Sequence, residues 1–166
     1  TLTGNNMNNT LIGGNQTDVI KGVSGNNYLN GGAGINTIYA GTGSDTIIGG
    51  SADANWLYYT DVLGANVNVN LKAGIATYGT STDTISQIRH LQMGNGTNTV
   101  EGNSDANSFV GGTGTDTLSY SGSSNAVTFN VTSAGAGTST GDGYDTFVGF
   151  ENYTLSSNAD TANLSG

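Results

Sequence analysis

The sequence predicts an all-β fold, a parallel β-solenoid of nine-residue repeats with two enlarged coils. Three observations carry this. Glycine fills 28 of 166 positions while proline and cysteine are absent. An aliphatic residue returns every nine positions through the first fifty residues. Charged residues make up only 9% of the chain, and an ordinary helical domain would carry more Leu, Ala, Glu and Lys than this one. Low hydrophobicity with net negative charge also suits disorder, but the recurring Thr, Val, Ile and Tyr argue against it.

The period fixes the elements in order. The first position of each nonapeptide reads Gly4, Gly13, Gly22, Gly31, Ala40 and Gly49. The sixth reads Asn9, Asp18, Asn27, Asn36 and Asp45, and the eighth Leu11, Ile20, Leu29, Ile38 and Ile47, with Leu2 in the same column upstream. Glycine permits the positive φ of a tight turn. The three residues around the eighth position then form a short strand that points one aliphatic side chain inward. Two strands and two turns make a coil of about eighteen residues, and coils stack about 4.8 Å apart as two parallel sheets. Leu11, Leu29 and Ile47 should therefore line one sheet, and Leu2, Ile20 and Ile38 the other.

Residues 49–100 and 111–162 follow a longer plan. Each has a Gly-Gly turn, a strand with tyrosine (Leu57–Tyr59, Leu118–Tyr120) and an alternating run at 66–71 or 126–131. A stretch of small residues follows, then Asp83-Thr-Ile85 or Asp145-Thr-Phe147, and finally Asn98-Thr99 or Asp160-Thr161. Alternation marks strands with one buried face. The chain thus reads as one continuous solenoid over 1–166. It comprises a regular array (1–50), an enlarged coil (51–92), a second array (93–120), and an enlarged coil with a terminal repeat (121–166). One extra residue near Trp56, relative to 117–120, suggests a bulge at Ala54–Trp56.

Segments 31–39 (GGAGINTIY), 40–48 (AGTGSDTII) and 111–119 (GGTGTDTLS) resemble the glycine–aspartate nonapeptide of the hemolysin-type, or RTX, calcium-binding β-roll. The resemblance implies a β-roll that holds Ca²⁺ between coils through the sixth-position Asp and the carbonyls of the glycine turn. Carried onto this chain, it points to Asp18 with Asn36, Asp45 with Asn27, and Asp116 with Asn98. The turn glycines are Gly32, Gly34, Gly41, Gly43, Gly112 and Gly114. Sixth positions eighteen apart give each site at most one carboxylate where the family pattern has two, and calcium affinity follows carboxylate count. Asparagine columns can instead hydrogen-bond coil to coil without metal. Met7, Gln16 and Val23 replace turn glycines, which weakens the first coil's site.

Several functions are excluded. Three Lys and Arg against twelve Asp and Glu, a net charge of −9, cannot neutralise a phosphate track, so no nucleic-acid partner is expected. No apolar run approaches the ~18 residues of a membrane span. Nucleophile-elbow, zinc-helix and phosphate-loop motifs are lacking. His90 reads as an exposed strand-edge residue beside buried Ile88 and Leu91. No catalytic residue is expected. Thr1 with no signal pattern after it reads as a processed product or an excised segment.

Outward Ile12, Val19, Tyr28, Tyr39 and Ile48 make an apolar strip that either mediates contact or lies under the enlarged coils. The end coils carry no polar cap, so either both ends continue into a longer protein or they stack on neighbouring copies, since open β edges recruit other chains. The sequence thus suggests a secreted or cell-surface bacterial module of surface-layer, filament or adhesin type, calcium-bound and partnered with itself. A non-catalytic RTX segment of a secreted enzyme or toxin is the first alternative. The second is an ice- or carbohydrate-binding module using the polar column Asn6, Ser24, Thr42 beside Asn8, Asn26, Ser44.

Overall fold

The computed structural model describes residues 1–62, 64–133 and 135–165. Among these it contains strands and turns and no helix. The strands of the first array are β1 (Leu2–Thr3), β2 (Thr10–Ile12), β3 (Val19–Lys21), β4 (Tyr28–Asn30), β5 (Thr37–Tyr39) and β6 (Thr46–Ile48). Next come β7 (Trp56–Tyr58), β8 (Asn68–Asn70), β9 (Ile75–Tyr78), β10 (Ser81–Ser86), β11 (His90–Gln92), β12 (Thr99–Glu101), β13 (Ser108–Val110) and β14 (Thr117–Ser119). The last five are β15 (Thr128–Val131), β16 (Gly137–Thr140), β17 (Tyr144–Val148), β18 (Asn152–Thr154) and β19 (Thr161–Leu164).

Successive strands alternate between two sheets, as a nine-residue half-coil requires. The first sheet runs β1-β3-β5-β7-β11-β13-β17-β16-β15-β19, and the second β18-β14-β12-β8-β9-β10-β6-β4-β2. In the first sheet the inward column is Leu2, Ile20, Ile38, Leu57, Leu91, Phe109 and Phe147, each paired with the next. In the second, Leu11, Leu29, Ile47 and Ile85 form one run, and Val69, Val100, Leu118 and Tyr153 another. Ile20, Leu29, Ile38, Ile47, Leu57 and Leu91 have no exposed surface. Each such side chain contributes about 1.5–3 kcal/mol by leaving water. This column forms most of a core one side chain thick per sheet, with residues such as Ala40, Tyr59 and Met93 buried beside it.

The enlarged coils differ from parallel solenoid turns. Each is a three-stranded antiparallel meander: β8-β9-β10 in the second sheet and β15-β16-β17 in the first. The two-residue turn Gly79–Thr80, with Gly79 at φ 54°, reverses the chain between β9 and β10. Gly141 and Gly143, at φ 117° and 90°, do so between β16 and β17. The outer strands of each meander keep the parallel register. The first pairs with a later strand, Val69 beside Val100 and Phe129 beside Ala162, and the last with an earlier one, Ile85 beside Ile47 and Phe147 beside Phe109. The first meander adds two strands to one sheet and the second adds two to the other, so that among the described residues the sheets have nearly equal size, ten and nine strands.

The extra residue near Trp56 is not a bulge. The ladder Thr37–Trp56, Ile38–Leu57, Tyr39–Tyr58 runs without interruption, and Asn55 already sits in register with Asn36. The added residue is absorbed in the turn between Gly50 and Asn55, where no ladder has to be broken. The outward aromatic residues are not covered by the meanders either. Tyr39 packs on Tyr58 with ring centroids 4.8 Å apart, and Trp56 on His90 at 4.9 Å. His90 is thus a half-buried residue on a central strand, corrected from the strand-edge expectation. Ile12 remains 57% exposed.

Candidate metal centres

The turns of successive coils lie in backbone contact. A β-carbon on Gly43 (φ 127°) would overlap the carbonyl oxygen of Gly25, and one on Gly114 (φ 132°) that of Gly96. Glycine is needed there for both space and dihedral. Gly32, Gly34, Gly41 and Gly112 also hold positive φ. Val23 holds φ 74° without being glycine, whereas Met7 and Gln16 do not take positive φ, so of the three replaced positions only Val23 keeps the glycine-type turn.

Two side-chain ladders run up the turn edges in opposite senses. At the sixth position, the side-chain oxygen of one coil accepts the backbone N–H of the coil before it. Asn27 Oδ1 takes Asn9 N–H at 2.9 Å, Asp45 Oδ1 takes Asn27 N–H at 2.6 Å, and Asp83 Oδ1 takes Asp45 N–H at 2.8 Å. On the other edge, Asn36 accepts from Asp18 and Asn55 from Asn36. In the second array, Asn98 accepts from Val67, Asp116 from Asn98, and Glu151 Oε2 from Asp116 at 2.8 Å. At the fifth position the sense reverses, with Asn8 Oδ1 accepting from Asn26 and Asn26 Oδ1 from Ser44. Together they satisfy turn amides that the strand ladders leave unpaired. The polar column considered for ice or glycan contact is therefore spent largely on the protein itself.

The remaining side-chain atom separates asparagine from aspartate. Asn27 Nδ2 donates to the carbonyl of Gly25 at 2.9 Å. Asn36 Nδ2 donates to Gly34 at 2.9 Å and Gly49 at 3.2 Å, and Asn98 Nδ2 reaches Gly94, Gly96, Gly111 and Asp116 Oδ1. An aspartate offers no such proton. Among the described residues, Asp45 Oδ2 and Asp116 Oδ2 are buried without any hydrogen-bond partner, on residues 2% and 0% exposed. Burial raises both carboxyl groups above the usual carboxylate range, opposed by hydrogen bonds from Asn27 and Asn98 respectively. An unpaired buried carboxylate oxygen is costly unless a cation reaches it. Asp45 and Asp116 thus fit a hard cation, whereas Asn27, Asn36 and Asn98 have both side-chain atoms engaged. Asp18 lies beside Asn36 as expected, but its Oδ2 accepts Gly14 N–H at 2.8 Å.

Spacing by eighteen missed the carboxylates that the meanders return to these columns. Asp83 stands one coil beyond Asp45 at a separation of 38 residues, and Glu151 one coil beyond Asp116 at 35. At both places a second carboxylate thus stands one coil from the first, where a spacing of eighteen gave an asparagine. The Asp-x-Ile step at 83–85 and the Glu-x-Tyr step at 151–153 are the signals that could have placed them. Not every carboxylate is open. Tyr59 O–H donates to Asp83 Oδ2 at 2.8 Å, and Tyr120 O–H to Asp145 Oδ2. Tyr78 O–H donates to the carbonyl of Gly43 at 2.7 Å, in the turn of Asp45. Burial raises Asp83 to about 7 and Asp145 to about 6 in spite of these hydrogen bonds.

In the first sheet's column, the sixth position between Asn55 and Asn107 is Arg89, whose guanidinium lies 3.2 Å from Asp53 and 3.5 Å from Asp105. A built-in cation bridges turns there. Among the described residues, no three His, Cys, Asp or Glu side chains gather as a metal cluster, so any cation here must draw on backbone carbonyls as well.

A family model, the RTX calcium-binding nonapeptide repeat, matches in four copies over residues 3–38, 21–53 and 94–125. The matched residues are the two regular arrays, with both meanders largely outside. Comparison with curated proteins gives no match.

Proposed function

The chain belongs to the RTX calcium-binding nonapeptide-repeat family, whose ion is Ca²⁺, and on that premise we propose that it is a calcium-locked assembly module of a secreted or cell-surface bacterial protein. RTX repeats are structural rather than catalytic and are typical of secreted bacterial proteins. No helix of the described residues is long and apolar enough to cross a membrane. The observation that carries the reading is the pair of buried, unpartnered oxygens on Asp45 and Asp116, which a divalent cation would satisfy. Calcium then cross-links neighbouring coils and stiffens the stack.

Self-association through the solenoid ends is supported by the outermost strands. Among the described residues, β1 and β19 are the outermost strands of the first sheet and β2 and β18 those of the second. Such edges invite pairing with a further strand. A net charge of −9 opposes association of like chains, and bound calcium lowers that repulsion. Light scattering and electron microscopy with millimolar-range calcium and with chelator test the reading. Calcium-dependent filaments or lattices are expected, and a monomer under both conditions overturns assembly.

A further inference from the structure

We propose that Asp116 and Glu151 together form a calcium site in which Glu151, outside the repeat arrays, supplies the second carboxylate. The inference rests on the calcium-binding reading above and names the place where the ion sits.

Four observations converge on it. Asp116 has no exposed surface and, among the described residues, its Oδ2 has no partner, while that oxygen lies against Gly111, 2.8 Å from where a β-carbon would stand. Glu151 is the vertical neighbour of Asp116, held by the 2.8 Å hydrogen bond from Asp116 N–H to Oε2. The β14–β18 register fixes that placement, Thr117 beside Asn152 and Leu118 beside Tyr153. Among the described residues, the carbonyl oxygens of Gly112 and Gly114 accept no hydrogen bond, whereas those of Gly94 and Gly96 one coil earlier take the amide of Asn98. The Asp116 turn therefore combines an unpaired carboxylate oxygen, two free carbonyls and an adjoining carboxylate, all hard oxygens of the kind calcium takes.

The Asp45 turn differs in one respect. Tyr78 O–H already donates to the carbonyls of Gly41 and Gly43, and Tyr59 O–H holds Asp83. A cation arriving there competes with two tyrosine protons. Glu151 is moreover exposed, which gives the ion a path from solvent to a buried partner.

Calorimetric titration of CaCl₂ into chelator-stripped protein tests the assignment, with circular dichroism and the thermal midpoint read alongside. Glu151→Gln should weaken the tightest calcium event about tenfold or more, because affinity follows carboxylate count, and should keep the wild-type midpoint in chelator. Asp116→Asn should abolish the event and raise the midpoint in chelator, since its new amide can donate to the turn carbonyls. Asp45→Asn should leave the event in place. Calcium affinity unchanged in folded Glu151→Gln, or an event lost in Asp45→Asn instead, overturns the assignment while leaving calcium binding intact. A wild-type protein that takes up no calcium overturns the calcium reading itself.

Discussion

Tyr59 donates its phenolic proton to Oδ2 of Asp83 at 2.8 Å, and neither side chain has any exposed surface. The second meander repeats the pair with Tyr120 and Asp145, where Ser139 adds a hydroxyl at 3.2 Å. In both, the first oxygen of the aspartate continues the coil-to-coil ladder and the second needs a proton or a cation. The columns differ in how that place is filled: asparagine carries an amide there, Asp83 and Asp145 receive a tyrosine hydroxyl, and among the described residues Asp45 and Asp116 leave the oxygen open. Where a meander enters, the tyrosine takes over.

Tyr59→Phe should therefore cost stability. The variant keeps the ring and leaves a buried carboxylate without its donor, a loss of about 1–3 kcal/mol. For a chain of this size that is roughly 2–4 °C of midpoint per kcal/mol. The loss should be smaller at pH 5 than at pH 8, because a protonated Asp83 carries no buried charge. An unchanged midpoint at pH 8 would remove the hydroxyl from the account.

Much of this fold was legible in the sequence because one column does most of the packing. Leu11, Leu29 and Ile47 could be stacked by counting, and the structure stacks them. The meanders were less legible. Gly79–Thr80 between Tyr78 and Ser81 carries a hairpin signal of two turn residues between strands, but its short polar strands resemble loop. Which sheet receives them depends on long-range pairing that no local pattern states. The same break hid Asp83 and Glu151, since a count of eighteen stops at each meander and resumes 38 and 35 residues later.

Acidification should stabilise the calcium-free protein. Burial raises Asp83 to about 7 and Asp145 to about 6, against an ordinary carboxyl value of 3.8. Asp45, Tyr59 and Tyr78 face the first, and Tyr120, Ser139 and Asp142 the second. Between about 4 and 7 the folded state holds protons that the unfolded state has released, so unfolding releases protons. Stability is then fully present near pH 4 and is lost as pH rises through about 6 to 7. Thermal midpoints in chelator should fall across that window, and Asp145→Asn should flatten its lower part. A midpoint that rises with pH over the same range would reverse the assignment.

Val23→Gly should stabilise the first array. Val23 is a β-branched residue at φ 74°, a conformation that costs about 1–3 kcal/mol for such a side chain. Its side chain is 40% exposed, so little packing is lost on removing it. Glycine returns some of the gain as unfolded-chain entropy, about 0.5–1 kcal/mol. A midpoint raised by roughly 1–5 °C is expected. A lowered midpoint would mean that the valine packs better than its exposure indicates.

Asn27→Asp should create a need for calcium where none exists. In the wild type, Asn27 Oδ1 accepts from Asn9 and Nδ2 donates to Gly25 at 2.9 Å, so both atoms are satisfied. Aspartate keeps the first bond and replaces the second donor with an oxygen facing a carbonyl oxygen. Asp45 follows in the same column, its Oδ1 accepting the Asn27 N–H, so the variant also sets two carboxylates one coil apart. In chelator the midpoint should drop, by about 1–3 kcal/mol for the orphaned acceptor and further for the like charges. Calcium should recover it, since an ion bound only by the folded state stabilises by mass action. The wild-type column supplies the control, because it should respond less to calcium at this coil than the variant does. If Asn27→Asp is as stable as wild type in chelator, the amide–carbonyl bond contributes nothing. If it is destabilised but calcium does not recover it, the turns of the first array cannot close around an ion, and the asparagines have replaced calcium there for good.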